Sequence, residues 1–221
     1  MKHPYYQLSL QARKRFQWKV ILILFGILVF SGLLAYVTKS ILPLFLIFAG
    51  LSTLATFIDV PQGIEKGNLV RYSPMFLTSV ERKQKIQLHG GTLFDYYFCL
   101  PKYKSASERK KVVLLAYLEG LLHLIEAKKE SPETSLLGTT YILNERTATK
   151  LGFTIIPPQI GQKLLLILNY IPLLVANSML HKKLSLPKLS KSIGIETNIA
   201  KLQQQKKRIE ALVVKLKKAD L

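Results

Sequence analysis

Acidic residues are scarce in this chain of 221 residues: 13 Asp and Glu stand against 32 Lys and Arg, a formal net charge of +19. A surface so poor in negative charge excludes recruitment of cationic partners by bulk electrostatics. It points to anionic ones: nucleic acid, a ribosome-like complex or anionic lipid. Cysteine is nearly absent as well. Cys99 stands alone, which excludes an internal disulfide framework and leaves nothing that points to an oxidising compartment. No repeat and no low-complexity tract is present, so a solenoid is excluded.

Charge of either sign is missing from two stretches. Residues 20–37 read VILILFGILVFSGLLAYV and residues 41–58 read ILPLFLIFAGLSTLATFI. At about 1.5 Å per residue each is roughly 27 Å long as a helix, close to the hydrocarbon thickness of a bilayer. Only Thr38, Lys39 and Ser40 separate them, so the expectation is a two-helix transmembrane hairpin over 20–58. Pro43 falls in the first turn of the second helix, where a missing N–H is harmless. A cleaved signal peptide is disfavoured: the apolar run is long, and no small-residue cleavage site follows it.

Lysine and arginine set the orientation. The tail over residues 1–19 carries Lys2, Arg13, Lys14, Arg15 and Lys19, the connecting loop only Lys39, and the segment beyond Asp59 carries Lys66, Arg71, Arg82, Lys83 and Lys85. Both flanks should be cytoplasmic, with both termini inside and the loop outside. The expectation is an integral protein of a bacterial plasma membrane whose remaining chain forms a small α+β cytoplasmic domain over residues 60–183.

Within that domain a third apolar run, residues 164–180, contains Asn169, Pro172 and Asn177. A span there would export a tail with 11 basic and three acidic residues, against the positive-inside rule. It is expected as a helix that is buried or lies along the membrane. In KIQLHGGTLFDYYF, residues 85–98, Gly90-Gly91 between two roughly alternating stretches predicts a two-residue hairpin turn. Ser105 and Glu108 form a capping box ahead of a long helix reaching about Lys129. Residues 136–143 read as a strand, Asn144 as the N-cap of a short helix ended by Gly152, and residues 153–156 as another strand.

Five side chains are the candidates for an enzyme. His89 and Asp95 lie close in sequence, but five residues intervene where membrane acyltransferases have four, and the predicted hairpin sends them to opposite faces. Glu119, His123 and Glu126 fall on one face of the long helix, where two carboxylates and an imidazole could share a proton or a metal. Glu108 and Glu130 lie on the same stripe, so a solvated helical face is the expected reading. No second helix completes a di-metal site and no phosphate loop is present, so no metal and no cofactor is expected.

After a linker at 184–194, residues 195–221 carry apolar positions at Ile195, Ile199, Leu202, Ile209, Val213 and Leu216, with Lys206 inside the pattern. The 4-3 spacing predicts a basic heptad helix that packs as a coiled coil on a second copy, on the domain or on a partner. Lys206, Lys207, Arg208 and Lys215 are its expected interaction residues. The leading functional expectation is a membrane-anchored scaffold that recruits a partner, anionic lipid or a ribosome-like complex through this helix, with homo-oligomerisation possible through the seam. The alternative is a membrane-associated enzyme acting on a lipid-linked or phosphorylated substrate.

Overall fold

A computed structural model describes residues 3–140, 143–158 and 160–218. A short helix α1 (Pro4–Gln7) precedes α2 (Leu10–Thr38), whose Ser9 side chain accepts the Ala12 N–H as an N-cap. Lys39 in a left-handed conformation ends α2. A 3-10 turn then leads into α3 (Phe45–Leu54) and α4 (Thr56–Glu65). Leu10–Thr38 and Leu42–Glu65 are each long and apolar enough to cross a membrane. They expose Leu22, Phe25, Phe30, Leu33, Phe45 and Phe48, as a lipid-facing surface does and a water-facing one rarely does.

The α+β domain that follows is one six-stranded mixed sheet in the order β1-β2-β3-β4-β6-β5. β1 (Leu69–Ser73), β2 (Phe76–Ser79) and β3 (Lys85–Gly90) form an antiparallel meander, with Leu77 opposite His89 and Thr78 opposite Leu88. After β3 come α5 (Leu93–Cys99) and α6 (Ala106–Ala127), which carry the chain across to β4 (Ser135–Thr140), parallel to β3. Parallel neighbours need such a crossover. Then come α7 (Glu145–Lys150), β5 (Thr154–Ile156), α8 (Ile160–Leu168), α9 (Tyr170–His181), β6 (Ile193–Asn198), α10 (Ile199–Gln204) and α11 (Lys206–Lys218). The Ser105–Glu108 capping box, the Asn144 cap and the strand on either side of α7 occur as the sequence predicts; Tyr141 and Ile142 of the predicted 136–143 strand lie outside the described residues.

The predicted two-residue turn at Gly90-Gly91 does not form. Neither Gly90 nor Gly91 has the positive φ that a two-residue hairpin requires. The chain instead enters α5, because the Asp95 carboxylate accepts the Thr92 N–H at 2.7 Å and the Thr92 hydroxyl at 2.8 Å and so caps a new helix. The glycines serve a close approach. A Cβ on Gly90 would sit 2.2 Å from the Tyr117 hydroxyl of α6, and that hydroxyl accepts the Gly91 N–H at 2.9 Å. The two-residue turn lies earlier, at Lys83 and Gln84, with φ of 51° and 56° between the bridged pair Arg82 and Lys85.

The C-terminal heptad is also reassigned. Residues 193–198 form β6, so Ile195 pairs in the sheet beside Gly138 and the expected linker already contains the strand's start. The helix begins at Ile199 and breaks at Gln205; residues 219–221 lie outside the described ones. Ile199, Leu202, Ile209 and Val213 are buried in one core with Leu121, Leu124 and Ile125 of α6 and Ile86 and Leu136 of the sheet, and Leu216 packs against it. Over so few turns, a coiled-coil seam and an ordinary amphipathic face have the same spacing. Here the seam closes the domain's own core.

A second core joins this domain to the base of the apolar helices. Tyr5, Val20, Phe57 and Val60 pack with Met75 and Leu77, with Phe94 and Tyr96 of α5, with Val113 and Ala116 of α6, and with Ala176 and Leu180 of α9. α5 is the wedge between the two halves. Aromatic residues favour strands when only local preference counts, but here Phe94 and Phe98 contact Tyr5, and Phe94 also contacts Phe57. That tertiary packing selects the helix.

Candidate functional site

The five candidate catalytic residues do not meet. His89 is exposed near the end of β3. Glu119, His123 and Glu126 do share one face of α6, but α11 lies beside it. Lys217 Nζ is 2.8 Å from Glu119 Oε1, Lys206 Nζ is 3.2 Å from Glu126 Oε2, and Lys129 Nζ is 3.4 Å from Glu126 Oε1. His123 Nδ1 sits 2.7 Å from the Tyr72 carbonyl. The hydrogen bond from Lys206, with the lysine charge behind it, holds the Glu126 carboxyl below its ordinary pKa. These carboxylates therefore act as helix-to-helix ion pairs. Among the described residues no three His, Cys, Asp or Glu side chains gather as metal ligands.

Asp95 is the centre of a different arrangement. It is fully buried. Its Oδ1 lies 2.8 Å from Arg71 Nη2 of β1 and 3.3 Å from His3 Nε2 of the N-terminal segment, while Oδ2 caps α5. Arg71 also donates from Nη1 to the Pro74 carbonyl at 2.7 Å, and its guanidinium lies over the Tyr6 ring at 5.6 Å. His3 stacks on Phe94 with centroids 5.0 Å apart and planes within 6°. Burial raises the pKa of the Tyr6 hydroxyl, with Arg71 opposing it. Three chain segments thus converge on one carboxylate. Among the described residues Asp95 and His3 are buried and Arg71 nearly so; what the cluster can do is hold the N-terminal segment and α5 to the sheet. His3 and Arg71 were not among the sequence candidates, since they lie far from Asp95 in sequence. The readable signal was Thr92-Leu93-Phe94-Asp95, a [ST]-x-x-[DE] cap pattern.

Arg109 is a second buried cation that the sequence does not flag. From the start of α6 it donates through Nε to the Pro101 carbonyl at 3.0 Å, through Nη2 to the Lys102 carbonyl at 2.8 Å, and through Nη1 to the Met179 carbonyl near the end of α9. Its planar fork suits three carbonyls at once.

Two surface features remain. A shallow, open depression of about 450 Å³ is lined by Asn68, Ser79, Arg82, Lys85, Gln87 and Leu137 among others. The outer side of α10 and α11 presents Lys201, Lys207, Arg208, Lys215 and Lys218, all exposed and with Glu210 as the one acidic residue on these two helices. Of the four predicted interaction residues, Lys206 is turned to Glu126, and Lys207, Arg208 and Lys215 face outward.

No family model, curated protein or solved structure matches this chain. The chemistry of its own residues therefore carries any functional reading. For Cys99 that chemistry is inert: burial, reinforced by the Asp95 charge, pushes its thiol pKa up to about 12. Since the thiolate is the reactive form, Cys99 in the folded protein should resist maleimide or iodoacetamide at neutral pH and label promptly after denaturation. Equal labelling rates in the two states would contradict the packed environment of α5.

Proposed function

We propose that this protein is an integral membrane protein with both termini in the cytoplasm, whose α+β domain is fastened to the base of its helical hairpin and recruits an anionic partner through the outer face of α11. The observation that carries this reading is the division of labour on α11. Its apolar seam is spent on the domain's own core, and two of its lysines are spent on Glu119 and Glu126. Lys207, Arg208, Lys215 and Lys218 remain turned outward. Recruitment then works by charge and not by coiled-coil pairing, so it is sensitive to salt and tolerant of partner sequence. The fastening follows from the shared core of Tyr5, Phe57 and Phe94 and from the ion cluster at Asp95. A flexible tether would let the domain roam; this one holds the basic face at a constant attitude to the bilayer.

The test uses the whole chain reconstituted into neutral phosphatidylcholine vesicles. At low salt these should tether phosphatidylserine vesicles or sediment with ribosomes, and whichever is captured identifies the partner class. The combined change Lys207→Gln, Arg208→Gln and Lys215→Gln should reduce capture several-fold, as should high salt. Equal capture by both proteins at both salts would remove α11 from the function. Reporter fusions after Arg15, after Gln62 and at the C-terminus should all report the cytoplasmic side. An external C-terminus would overturn the orientation.

A further inference from the structure

The third apolar run, over residues 164–180, is not one helix. α8 and α9 meet at Asn169 with a bend of 69°. The two arms have different surroundings. α9 buries Pro172, Ala176 and Leu180 and lies against α5, α6 and α3. Among the described residues α8 buries none of its side chains, and its main packing partner is α9. It exposes Ile160, Leu164, Leu165, Ile167 and Leu168, Ile160 to 88%. An unpartnered row of five large aliphatic side chains is not a water-facing surface of an ordinary domain.

Both outer ends of this bent pair are tied to the same domain. At the start of α8 the Gln162 side chain meets the Thr139 hydroxyl of β4. Near the end of α9 the Met179 carbonyl accepts from Arg109 of α6, and Asn177 donates to Ser185 at 2.8 Å as the chain returns to the sheet. A segment whose two ends are fixed to one domain cannot also cross a bilayer that has that domain on one side. At about 1.5 Å per residue the arms measure roughly 14 and 18 Å, so a 69° bend sets the vertex roughly 9 Å beyond the line joining their ends. That is the depth at which interfacial helices sit, at the boundary of headgroups and acyl chains.

The vertex is built for such a setting. Asn169 turns three of its polar groups inward to the helices: its Nδ2 donates to the Leu165 carbonyl at 2.8 Å, its backbone N–H donates to the same oxygen at 3.0 Å, and its carbonyl accepts the Leu173 N–H at 3.0 Å. Apolar surroundings require this, because no water is there to replace a missing partner. The charges are Lys163, in the outer half of α8, and Lys182 and Lys183, just past the end of α9, where long side chains reach headgroups. The contact of α9 with α3 sets the bent pair beside the apolar hairpin.

We infer that α8 and α9 form a shallow re-entrant wedge, with Leu164, Leu165, Ile167 and Leu168 inserted among the lipid acyl chains of the cytoplasmic leaflet beside the hairpin. The inference rests on the proposed reading that the hairpin crosses the bilayer. The wedge gives the domain a second attachment to the membrane, so the domain cannot rotate about the hairpin axis.

Depth-dependent quenching tests it. In a Cys99→Ser background of the full chain, a fluorophore is placed in turn at Leu168→Cys, Leu164→Cys, Lys163→Cys and Val29→Cys, the last in the middle of α2. The host is phosphatidylcholine vesicles carrying nitroxides either high or low on the acyl chain, with iodide as the aqueous quencher. Labels at Leu168 and Leu164 should be quenched several-fold more by the high nitroxide than by iodide. Lys163 should respond mainly to iodide, and Val29 mainly to the low nitroxide. Iodide quenching at Leu168 and Leu164 as strong as at Lys163 would place the wedge in water. Protection from both quenchers there would mean that protein covers it. Quenching of Leu168 by the low nitroxide as strong as that of Val29 would mean a full span. Each of these three results overturns the wedge while Val29 still reports a membrane-crossing hairpin. Loss of lipid quenching at Val29 overturns the hairpin reading itself.

Discussion

Replacing Asp95 with alanine should lower folding stability by roughly 3–5 kcal/mol, the range for removing one partner of a buried ion pair. The carboxylate is fully buried. It is the ion partner of the Arg71 guanidinium, which loses its counter-charge once the carboxylate is gone and keeps the Pro74 carbonyl as an acceptor. The same change removes the acceptor for the Thr92 N–H and hydroxyl, so α5 loses its cap. It also frees His3, and with it the segment that places Tyr5 and Tyr6. Thermal unfolding in detergent micelles reads the loss, and limited proteolysis near Arg13 should become faster as the N-terminal segment lifts. Asp95→Asn, which keeps an acceptor for the cap, should cost less. Adding Arg71→Leu to Asp95→Ala should restore part of the loss, because an apolar side chain then replaces the stranded cation. A midpoint unchanged in Asp95→Ala would mean that the three segments are held by their aromatic contacts alone.

Ile209→Asp should cost more than about 4 kcal/mol, a size reserved for changes such as an unpaired charge placed in a core. Ile209 is fully buried among Leu124, Ile125, Leu202 and Val213, and the lysine on the same side of α11, Lys206, is already engaged with Glu126. The result separates the two uses of the heptad spacing. If α11 closes its own domain, Ile209→Asp unfolds that domain at every protein concentration. If the seam instead joined two copies, the same change would yield a folded monomer. Circular dichroism beside sedimentation velocity in detergent distinguishes these outcomes. Conversely, Lys206→Leu should leave oligomeric state untouched, since Lys206 meets Glu126 within the chain.

The sequence by itself determined whatever depends on local composition and short spacing. Two uncharged runs are long enough to cross a bilayer because that property is a sum over consecutive residues. The capping box at Ser105, the Asn144 cap and the helix stop at Gly152 were legible because each is a contact within a few residues. The shared face of Glu119, His123 and Glu126 was legible from helical periodicity alone.

Only the tertiary structure decided what those faces meet. The stripe on α6 reads as a metal site or a solvated surface until α11 brings Lys206 and Lys217 against it. Gly90 and Gly91 read as a turn until Tyr117 of α6 shows why no side chain fits at Gly90. Leu93–Cys99 is strand-like in composition and helical in fact, because Phe94 and Phe98 gain more from Tyr5 and Phe16 than from a sheet, and because Asp95 caps the helix. His3, Arg71 and Asp95 could not be associated by spacing at all, being brought together by the sheet, by α5 and by the docked N-terminal segment. The apolar run at 164–180 has one composition throughout, yet Asn169 splits it into an arm that packs and an arm that does not. In each case the deciding partner is distant in sequence, and periodicity records which face a residue occupies but not what covers it.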